Sequence, residues 1–286
     1  MARPSTPAEH IAGRVVLVTG ATDGIGRQTA LQLGQMGARV LVHGRDPDRG
    51  GELVEELKAL GVRGAAFFRA DFSSLVDVVK LAGALKEATT RLDVLINNAG
   101  VFMTERRLTV ERHEITFAVN HLAPAALTLW LLPLLTQSAP SRIIFVSSAA
   151  HARASLDFGN LQAEKSFDGY GAYALSKLAN ILFANELAAR VRGGGVTVNS
   201  MTPGVVATKL LQVGFPGMHG RPVADGAATS VFLASDPSLT MVTGTYFVDR
   251  RPAQPAALAR DPEARRHLWA ATEALLRQAG AWRDVD

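Results

Sequence analysis

The sequence contains no cysteine, which excludes disulfide bonds, thiolate nucleophiles and zinc–thiolate sites. It also has no run of lysine and arginine, because the basic residues are mostly scattered arginines with adjacent pairs only at 106–107, 250–251 and 265–266. The formal net charge of +4 therefore does not indicate a nucleic-acid-binding surface. This charge is compatible with a phosphorylated small-molecule cofactor.

Residues 1–12 lack the apolar segment of a signal peptide, and we predict a short disordered leader there. The most apolar stretch, residues 123–135, is too short to span a bilayer and contains Pro124 and Pro133, so we predict a buried core helix. The seven histidines show no His-x-x-x-His or His-Glu-x-x-His spacing, and no metal site is expected. We expect a cytoplasmic protein with no membrane and no nucleic-acid partner.

Strand-like and helix-like segments alternate from Arg14 to Val248, a pattern typical of a parallel sheet with helices on both faces. At 286 residues with 48% hydrophobic content, the chain can bury one core without a second domain. We predict a single α/β domain over 13–286, a Rossmann-type doubly wound parallel sheet of about seven strands. Within it we expect a substrate lid at about 205–222 and a C-terminal extension at about 255–286.

A glycine-rich turn follows the first predicted strand, Val15–Val18, and opens a helix. Glycine allows the backbone to turn tightly and to approach a ligand closely, and the N-terminus of the next helix favours a pyrophosphate. A strand, a glycine-rich turn and a helix in this order predict a dinucleotide site. The candidate cofactor-binding residues of this turn are Gly20, Thr22, Asp23, Gly24, Ile25 and Gly26.

Tyr173 and Lys177 lie four residues apart in a strongly helix-forming segment, which places both side chains on one helical face. A phenol normally titrates near pH ~10, and a neighbouring cation lowers its pKa. The pair therefore predicts a general acid/base in which Lys177 activates Tyr173. The alternative that this spacing alone leaves open is an amphipathic helix with a half-buried tyrosine and a solvated lysine.

Three motifs together resemble the short-chain dehydrogenase/reductase family: the Gly-x-x-x-Gly-x-Gly turn, Asn97–Gly100 after the fourth predicted strand, and the Tyr/Lys pair. The resemblance covers residues 13–250. The segments Val146–His151 and Asn160–Lys165 are similar to those of retinol dehydrogenases within this family. The resemblance implies an NAD(P)-dependent oxidoreductase that transfers a hydride between the nicotinamide and an alcohol or carbonyl group.

The same resemblance implies a catalytic centre of Ser148, Tyr173, Lys177 and Asn120. Tyr173 would exchange a proton with the substrate oxygen, which Ser148 would orient. Lys177 would lower the tyrosine pKa and bind the nicotinamide ribose, and Asn120 would bind a water molecule that links Lys177 to solvent. Ser147 is the alternative to Ser148, because successive side chains of a strand point to opposite faces and only one of them can face the site.

The end of the second predicted strand distinguishes the two nicotinamide dinucleotides, because a carboxylate there favours NAD and an arginine accommodates the NADP phosphate. Gly44 occupies the carboxylate position and Arg45 follows it, so we predict a preference for NADP(H). Two alternatives stay open: Arg45 is a solvated residue paired with Asp46 or Asp48, or Asp46 binds the ribose of NAD(H). The resemblance implies further cofactor contacts from Asp71, Phe72, Asn98, Ala99, Gly100, Tyr173, Lys177, Pro203, Gly204, Val206 and Thr208.

Three segments, 101–107, 151–168 and 205–222, are expected to determine the substrate. They carry several apolar side chains, and we predict a lipophilic alcohol or carbonyl compound as the small-molecule substrate. The alternative function is a non-catalytic NAD(P)-binding sensor of the same fold, which would have no reason to retain a complete serine–tyrosine–lysine set. The resemblance also implies a homodimer or homotetramer.

Overall fold

Parallel strands with hydrophobic side chains on both faces form the centre of the molecule. The structure is a computed structural model and describes residues 6–285. The strands are β1 (Val15–Val18), β2 (Arg39–Gly44), β3 (Ala66–Arg69), β4 (Val94–Asn97), β5 (Ser141–Val146), β6 (Val196–Thr202), β7 (Tyr246–Val248) and β8 (Arg251–Ala253). Their order across the sheet is β3-β2-β1-β4-β5-β6-β7-β8. The pair β7–β8 is antiparallel and the other neighbours are parallel. This topology confirms the predicted doubly wound α/β fold, with one strand more than expected.

Helices cover both faces of this sheet. They are α1 (Pro7–Ile11), α2 (Gly24–Gln35), α3 (Pro47–Ala59), α4 (Leu75–Ala88), α5 (Ile115–Phe117), α6 (Ala123–Gln137), α7 (Gly169–Arg190), α8 (Lys209–Gly214), α9 (Val223–Ser235) and α10 (Pro262–Gln278). One core contains buried residues of α2, α3 and α9, and the other contains those of α4, α6, α7 and α10. Alternate strand residues serve the two cores: Val16 and Val18 enter the first and Leu17 enters the second. A strand buried on both faces therefore has the continuous apolar sequence seen here.

The order of the strands reverses between β1 and β4, which creates a crevice at their C-terminal ends. Val18 pairs in register with Ile96, and Thr19 donates its backbone N–H to the Ile96 carbonyl at 3.0 Å. The glycine-rich turn after β1 and the loop after β4 consequently leave the sheet side by side.

The N-terminal leader differs from the prediction in the part that the structure describes. Residues 1–5 of the predicted disordered leader lie outside the described residues. Thr6 caps α1 through a reciprocal capping box with Glu9, and Ile11 at the end of the helix is fully buried. Residues 6–12 are therefore ordered, because one apolar side chain fixes this short helix against the first core.

The apolar stretch forms a longer helical segment than predicted, Ile115–Gln137, because α5, a π-helical turn at Ala118–Leu122 and α6 are continuous. With a mean hydropathy of 1.5 it is long and apolar enough to cross a membrane, so the expectation that it is too short was wrong. However, 89% of its most apolar 18-residue stretch is buried inside the protein, as we predicted for a core helix. The expected cytoplasmic location stays a prediction.

The C-terminal extension packs against the outer surface of α7. Leu268 of α10 is fully buried, and the Trp269 ring stacks on Phe183 with 4.9 Å between the centroids. His121, in the π-helical turn, lies 2.9 Å from Thr272 Oγ1 through its Nε2 atom. The extension is therefore part of the second hydrophobic core.

Two histidines, His43 and His121, are buried, and we predict that they make the protein less stable in acid. Burial lowers the pKa of His43 and of His121 from the ordinary value of 6.5 to about 4, so the unfolded chain binds more protons than the folded protein between these values. These histidines leave the free energy of unfolding unchanged above pH 6.5, and they lower it as the pH falls from 6.5 towards 4. At pH 5 we expect a loss of about 2 kcal/mol per histidine relative to pH 7.5, measured by urea unfolding.

His121→Gln should reduce this pH dependence, whereas His219→Gln should leave it unchanged because His219 is exposed. An unfolding free energy that is constant from pH 7.5 to pH 5 would contradict the interpretation.

Candidate active site

A cleft of about 680 Å³ lies at the C-terminal ends of β1, β2 and β4. The predicted cofactor residues that line it are Gly20, Thr22, Asp23, Gly24, Ile25, Gly26, Arg45, Asp71, Phe72, Asn98, Ala99, Gly100 and Thr208. His43, Arg49 and Lys209 also line it, although the sequence did not single them out.

The glycine-rich turn forms one wall of this cleft and requires glycine at two positions. Gly20 has a positive φ of 63°, and a Cβ there would lie 2.8 Å from the Cα of Ala99. A Cβ at Gly26 would collide with the Gly20 carbonyl oxygen and with the Asn98 amide. The bare backbone and the N-terminus of α2 form a cradle that suits the pyrophosphate of a dinucleotide.

Asn98 and His43 hold the turn in this position. Asn98 donates from Nδ2 to the Thr19 carbonyl at 2.8 Å, and its own N–H donates to Thr19 Oγ1 at 2.9 Å. His43 Nδ1 accepts from the Gly20 N–H at 3.3 Å, while Nε2 lies 3.2 Å from the Ala70 carbonyl. Because burial keeps the pKa of His43 low, the ring is neutral and Nδ1 is free to accept. His43 reaches Gly20 because β1 and β2 are paired in the sheet, so the part it plays in holding the turn could not be recognised from the sequence.

Asp71 and Phe72 form the wall after β3. Asp71 accepts from the Ser73 N–H at 2.9 Å, so part of its carboxylate orders the local turn. Phe72 is buried and stacks on His43 with 4.2 Å between the ring centroids. These two residues shape one end of the cleft.

The residues after β2 distinguish the alternatives left open for Arg45. Arg45 is exposed at the cleft and forms no ion pair within residues 6–285. Asp46 instead caps α3, accepting from the backbone N–H groups of Asp48 and Arg49, and its second oxygen lies 3.4 Å from Arg49 Nε. A Cβ at Gly44 would lie 2.9 Å from Thr22 Oγ1 and closer to the Thr22 methyl group, so a carboxylate has little room there.

A second set of charges surrounds Asp23 at the N-terminus of α2. Asp23 accepts from the Gly24 N–H at 2.8 Å and pairs with Lys209 at 2.9 Å and Arg49 at 3.2 Å. The hydrogen bond from Lys209 is the main reason that the pKa of Asp23 is lowered. Arg49 and Lys209 are distant from Asp23 in the sequence, which is why the motif alone did not reveal them.

Tyr173 and Lys177 lie on the buried face of α7, with 6% and 3% of their surface exposed. The Lys177 Nζ atom lies 5.6 Å from the centroid of the Tyr173 ring and donates to the Val146 carbonyl at 3.1 Å. A Cβ at Gly100 would lie 3.3 Å from this Nζ atom, so the ammonium reaches the floor of the cleft. The alternative of a solvated lysine does not agree with this geometry.

Burial changes the acidity of both groups. Desolvation raises the pKa of Tyr173 to about 12, and the Ser148 side chain counteracts part of this increase. Desolvation also lowers the pKa of Lys177 to about 8. The sequence predicted a lowered tyrosine pKa from the adjacent ammonium, whereas in the structure burial raises the tyrosine pKa. The phenol is therefore protonated at neutral pH.

The two candidate serines at the end of β5 point in different directions. Ser147 is buried and its hydroxyl donates to the Lys177 carbonyl at 2.7 Å, which attaches β5 to α7. Ser148 is partly exposed and accepts from the Ala150 N–H at 3.2 Å, and its side chain is near enough to Tyr173 to lower the pKa of the phenol against the effect of burial. The structure thus brings Ser148, and not Ser147, beside the tyrosine.

Asn120 lies in the π-helical turn between α5 and α6, a kind of irregularity that is frequent at functional sites. Its amide accepts from the Val101 N–H at 2.7 Å and donates to the Val101 carbonyl at 2.9 Å. Its Nδ2 also donates to Ser176 Oγ at 3.0 Å. A Cβ at Gly100 would lie 3.4 Å from Asn120 Oδ1, close to Lys177 Nζ, so Asn120 belongs to the same buried corner.

The predicted lid contains the short helix α8 and lies over the tyrosine. Phe215 of the lid and Phe102 approach each other with 5.5 Å between ring centroids, and they lie 6.2 Å and 5.6 Å from the Tyr173 ring. Tyr170 completes the cluster at 5.8 Å from Phe215. Aromatic side chains thus surround the side of Tyr173 that faces the lid.

Thr208 lines the cleft, whereas five predicted cofactor contacts do not: Tyr173, Lys177, Pro203, Gly204 and Val206. Thr208 caps α8 by accepting from the Leu211 N–H at 3.3 Å. Val206 pairs with Arg221 at the base of the lid. Cofactor binding by these five residues stays a prediction.

Comparison with known sequences adds an independent observation. A family model described as short chain dehydrogenase matches residues 14–216. Retinol dehydrogenase 14 of Mus musculus is 39% identical over 287 residues, which cover 92% of this chain and 86% of that protein. Polyprenol dehydrogenase of Mus musculus is 40% identical, with 90% of this chain and 82% of that protein covered.

Solved structures are similar over most of the chain. A protein of Mycobacterium paratuberculosis has a TM-score of 0.78 and 28% identity, covering 96% of this chain and 98% of its own. A short chain dehydrogenase of Escherichia coli CFT073 in complex with NADPH has a TM-score of 0.71 and 26% identity, covering 87% and 100%.

The glycine cradle generates a direct prediction. Gly26→Ala places a methyl group against the Gly20 carbonyl and should weaken NADPH binding by more than about tenfold, because the turn must move. Fluorescence titration measures this affinity, and circular dichroism shows whether the variant folds.

Gly51→Ala is the matched control, since a Cβ at Gly51 in α3 meets no atom within 4 Å. This variant should bind NADPH normally. Equal affinities of the two variants would exclude Gly26 from the cradle.

Proposed function

The chain belongs to the short-chain dehydrogenase family of NAD(P)-binding oxidoreductases, and we propose that it is an NADP(H)-dependent enzyme for lipophilic alcohol and carbonyl substrates. One arrangement carries the proposal: Tyr173 and Lys177 are buried on one face of α7, and the Lys177 ammonium reaches Gly100 at the floor of the dinucleotide cleft. Ser148 is near enough to lower the pKa of the same tyrosine. Residues that are far apart in the sequence are thereby arranged for acid/base chemistry beside a cofactor.

Tyr173 is the proton donor or acceptor in this proposal. The bound dinucleotide supplies or accepts the hydride. Because its pKa is raised, Tyr173 is protonated at neutral pH and is ready to donate its proton to a carbonyl oxygen during reduction. Ser148 orients the same oxygen by a hydrogen bond. The Lys177 ammonium stabilises the phenolate that is left after proton transfer.

The preference for NADP(H) rests on the residues after β2. Arg45 supplies a positive charge at the cleft and forms no ion pair within residues 6–285. Asp46 is occupied as the cap of α3, and Gly44 has no side chain with which to bind the ribose hydroxyls. An arginine without an ion-pair partner favours the additional phosphate of NADP(H).

The proposal of a lipophilic substrate is based on the aromatic cluster around Tyr173. Phe102, Tyr170 and Phe215 contribute apolar surface beside the proton donor, and Leu210 of α8 packs against the same cluster. Such a lining favours an apolar substrate with one polar group at the catalytic end. The names of two relatives, retinol and polyprenol dehydrogenase, refer to lipophilic alcohols and agree with this choice.

Tyr173→Phe tests the proton-transfer role. The variant should lower kcat for the reduction of aldehydes and ketones by about 10²–10⁴-fold, because the acid is removed. Its affinity for NADPH should stay within about twofold of wild type, because the phenol does not line the cleft. Activity is followed by NADPH absorbance.

Tyr170→Phe, which removes a hydroxyl three residues earlier on the same helix, should retain most of the activity. Normal turnover by Tyr173→Phe would remove Tyr173 from the proposed mechanism. The absence of turnover by the wild-type protein with every alcohol, aldehyde and ketone would favour the sensor alternative.

Arg45→Ala tests the cofactor preference. Loss of a charged hydrogen bond to the phosphate should raise the Kd for NADPH by about 10- to 100-fold, and the Kd for NADH by less than about threefold. Lys58→Ala is the control for the loss of one positive charge, because Lys58 pairs with Glu55 on the exposed side of α3. Equal losses for both dinucleotides in Arg45→Ala would show that Arg45 does not bind the phosphate.

A further inference from the structure

His151 connects the candidate catalytic serine to the C-terminal part of the chain. It lies three residues after Ser148 in the 3₁₀ turn Ala149–Arg153, and only 5% of it is exposed. Its Nδ1 atom lies 2.7 Å from the Ser148 carbonyl oxygen, and its Nε2 atom lies 3.1 Å from the Ala256 backbone nitrogen. One imidazole ring therefore joins the end of β5 to a residue more than a hundred positions later in the sequence.

The two partners determine the state of the ring. A carbonyl oxygen can only accept a hydrogen bond and a backbone N–H can only donate one. Both contacts are satisfied when His151 is neutral and carries its proton on Nδ1. Burial lowers the pKa of His151, in agreement with a neutral ring, and the edge-to-face contact with Tyr246 at 5.2 Å limits the rotation of the ring.

Ser148 is held by contacts that leave its hydroxyl able to meet Tyr173. The Ala150 N–H donates to Ser148 Oγ at 3.2 Å, and the Ser148 carbonyl accepts from the His151 backbone N–H at 3.1 Å and lies 2.7 Å from the ring nitrogen Nδ1. Among residues 6–285, the His151 ring is the hydrogen-bonded link between this peptide and the C-terminal segment, so the position of the Ser148 side chain beside Tyr173 depends on the ring.

Ala256 is a firm attachment point for this contact. It precedes the 3₁₀ turn Ala257–Arg260 and α10, where Ala259 and Leu268 are buried in the second core. A displacement of Ala256 therefore requires a displacement of packed side chains. The C-terminal extension, which the sequence left without a function, meets the catalytic centre at this point.

We propose that His151 is a positioning residue that fixes the Ser148 peptide against Ala256, so that the C-terminal segment 256–278 forms part of the framework of the active site. The catalytic consequence rests on the proposed function, whereas the bridge itself can be tested without any substrate.

The bridge is tested first by NMR of ¹⁵N-labelled protein. The ring nitrogens should show a neutral His151 with the proton on Nδ1 at pH 7, and the Ala256 amide should be protected from hydrogen exchange. A proton on Nε2, a charged ring or a rapidly exchanging Ala256 amide would overturn the proposal.

Three substitutions then separate the two hydrogen bonds. His151→Asn places an amide N–H near the position of Nδ1, His151→Gln places an amide oxygen near the position of Nε2, and His151→Ala keeps neither. We expect kcat to fall about tenfold in His151→Ala, which corresponds to about 1.4 kcal/mol, and about threefold in each of the other two. The Kd for NADPH should not change in any of them, because the ring lies outside the dinucleotide cleft.

Leu57→Ala is the control for a general loss of stability. It removes a fully buried side chain of α3 in the first core, which contains neither His151 nor the segment 256–278, so it should lower Tm but leave kcat at 25 °C within about twofold of wild type. An equal fall in kcat in this control would overturn the positioning role.

Each remaining outcome also decides the proposal. A wild-type kcat in His151→Ala refutes it, and full recovery of kcat in His151→Asn refutes the part played by Ala256. If the wild-type protein turns over no substrate, the proposed function fails, while the ring proton and the Ala256 amide still decide whether the bridge exists.

Discussion

The burial of Tyr173 and Lys177 on one face of α7 is the constraint on which the active site depends. Away from water, a phenol resists losing its proton and an amine resists gaining one, and the pKa values of about 12 and about 8 express these two costs. The surrounding polar groups are few and fixed: Ser148 meets the phenol, and the Val146 carbonyl accepts from the ammonium. The site is therefore arranged so that charge develops only where a partner can stabilise it.

The sheet topology brings these groups to the dinucleotide cleft. Loops after β1, β2 and β4 build the cleft, while β5 delivers Ser148 and α7 delivers the tyrosine and the lysine from the neighbouring side. Gly100 lies at the junction, because its missing side chain leaves room for the Lys177 ammonium. The fold thus brings the glycine-rich turn after β1 and the tyrosine–lysine face of α7 to neighbouring sides of one crevice, as expected for a doubly wound protein.

The sequence predicted much of this arrangement, because strand periodicity, glycine spacing and the Tyr/Lys pair are local signals. It predicted the doubly wound sheet correctly, and the structure places the residues of the predicted glycine-rich turn along the cleft. It did not predict the direction of the Tyr173 pKa shift, because desolvation depends on the packing of distant elements. The hydrogen bonds of His43 and His151 were missed for the same reason: their partners, Ala70 and Ala256, become neighbours only after folding. The ordered residues 6–12 were missed because one buried isoleucine is a weak local signal.

The central claim is that burial keeps the Tyr173 phenol protonated, even beside Lys177, until the positive charge of the oxidised nicotinamide is brought near it. A ¹³C NMR titration of the three tyrosines, followed with and without NADP⁺, measures this directly, and Tyr173→Phe identifies the resonance. The account predicts that the Tyr173 signal does not titrate up to pH ~10 in the protein alone, and that its pKa falls when NADP⁺ is bound. A Tyr173 pKa at or below ~10 in the protein alone, or one that NADP⁺ leaves unchanged, would contradict it.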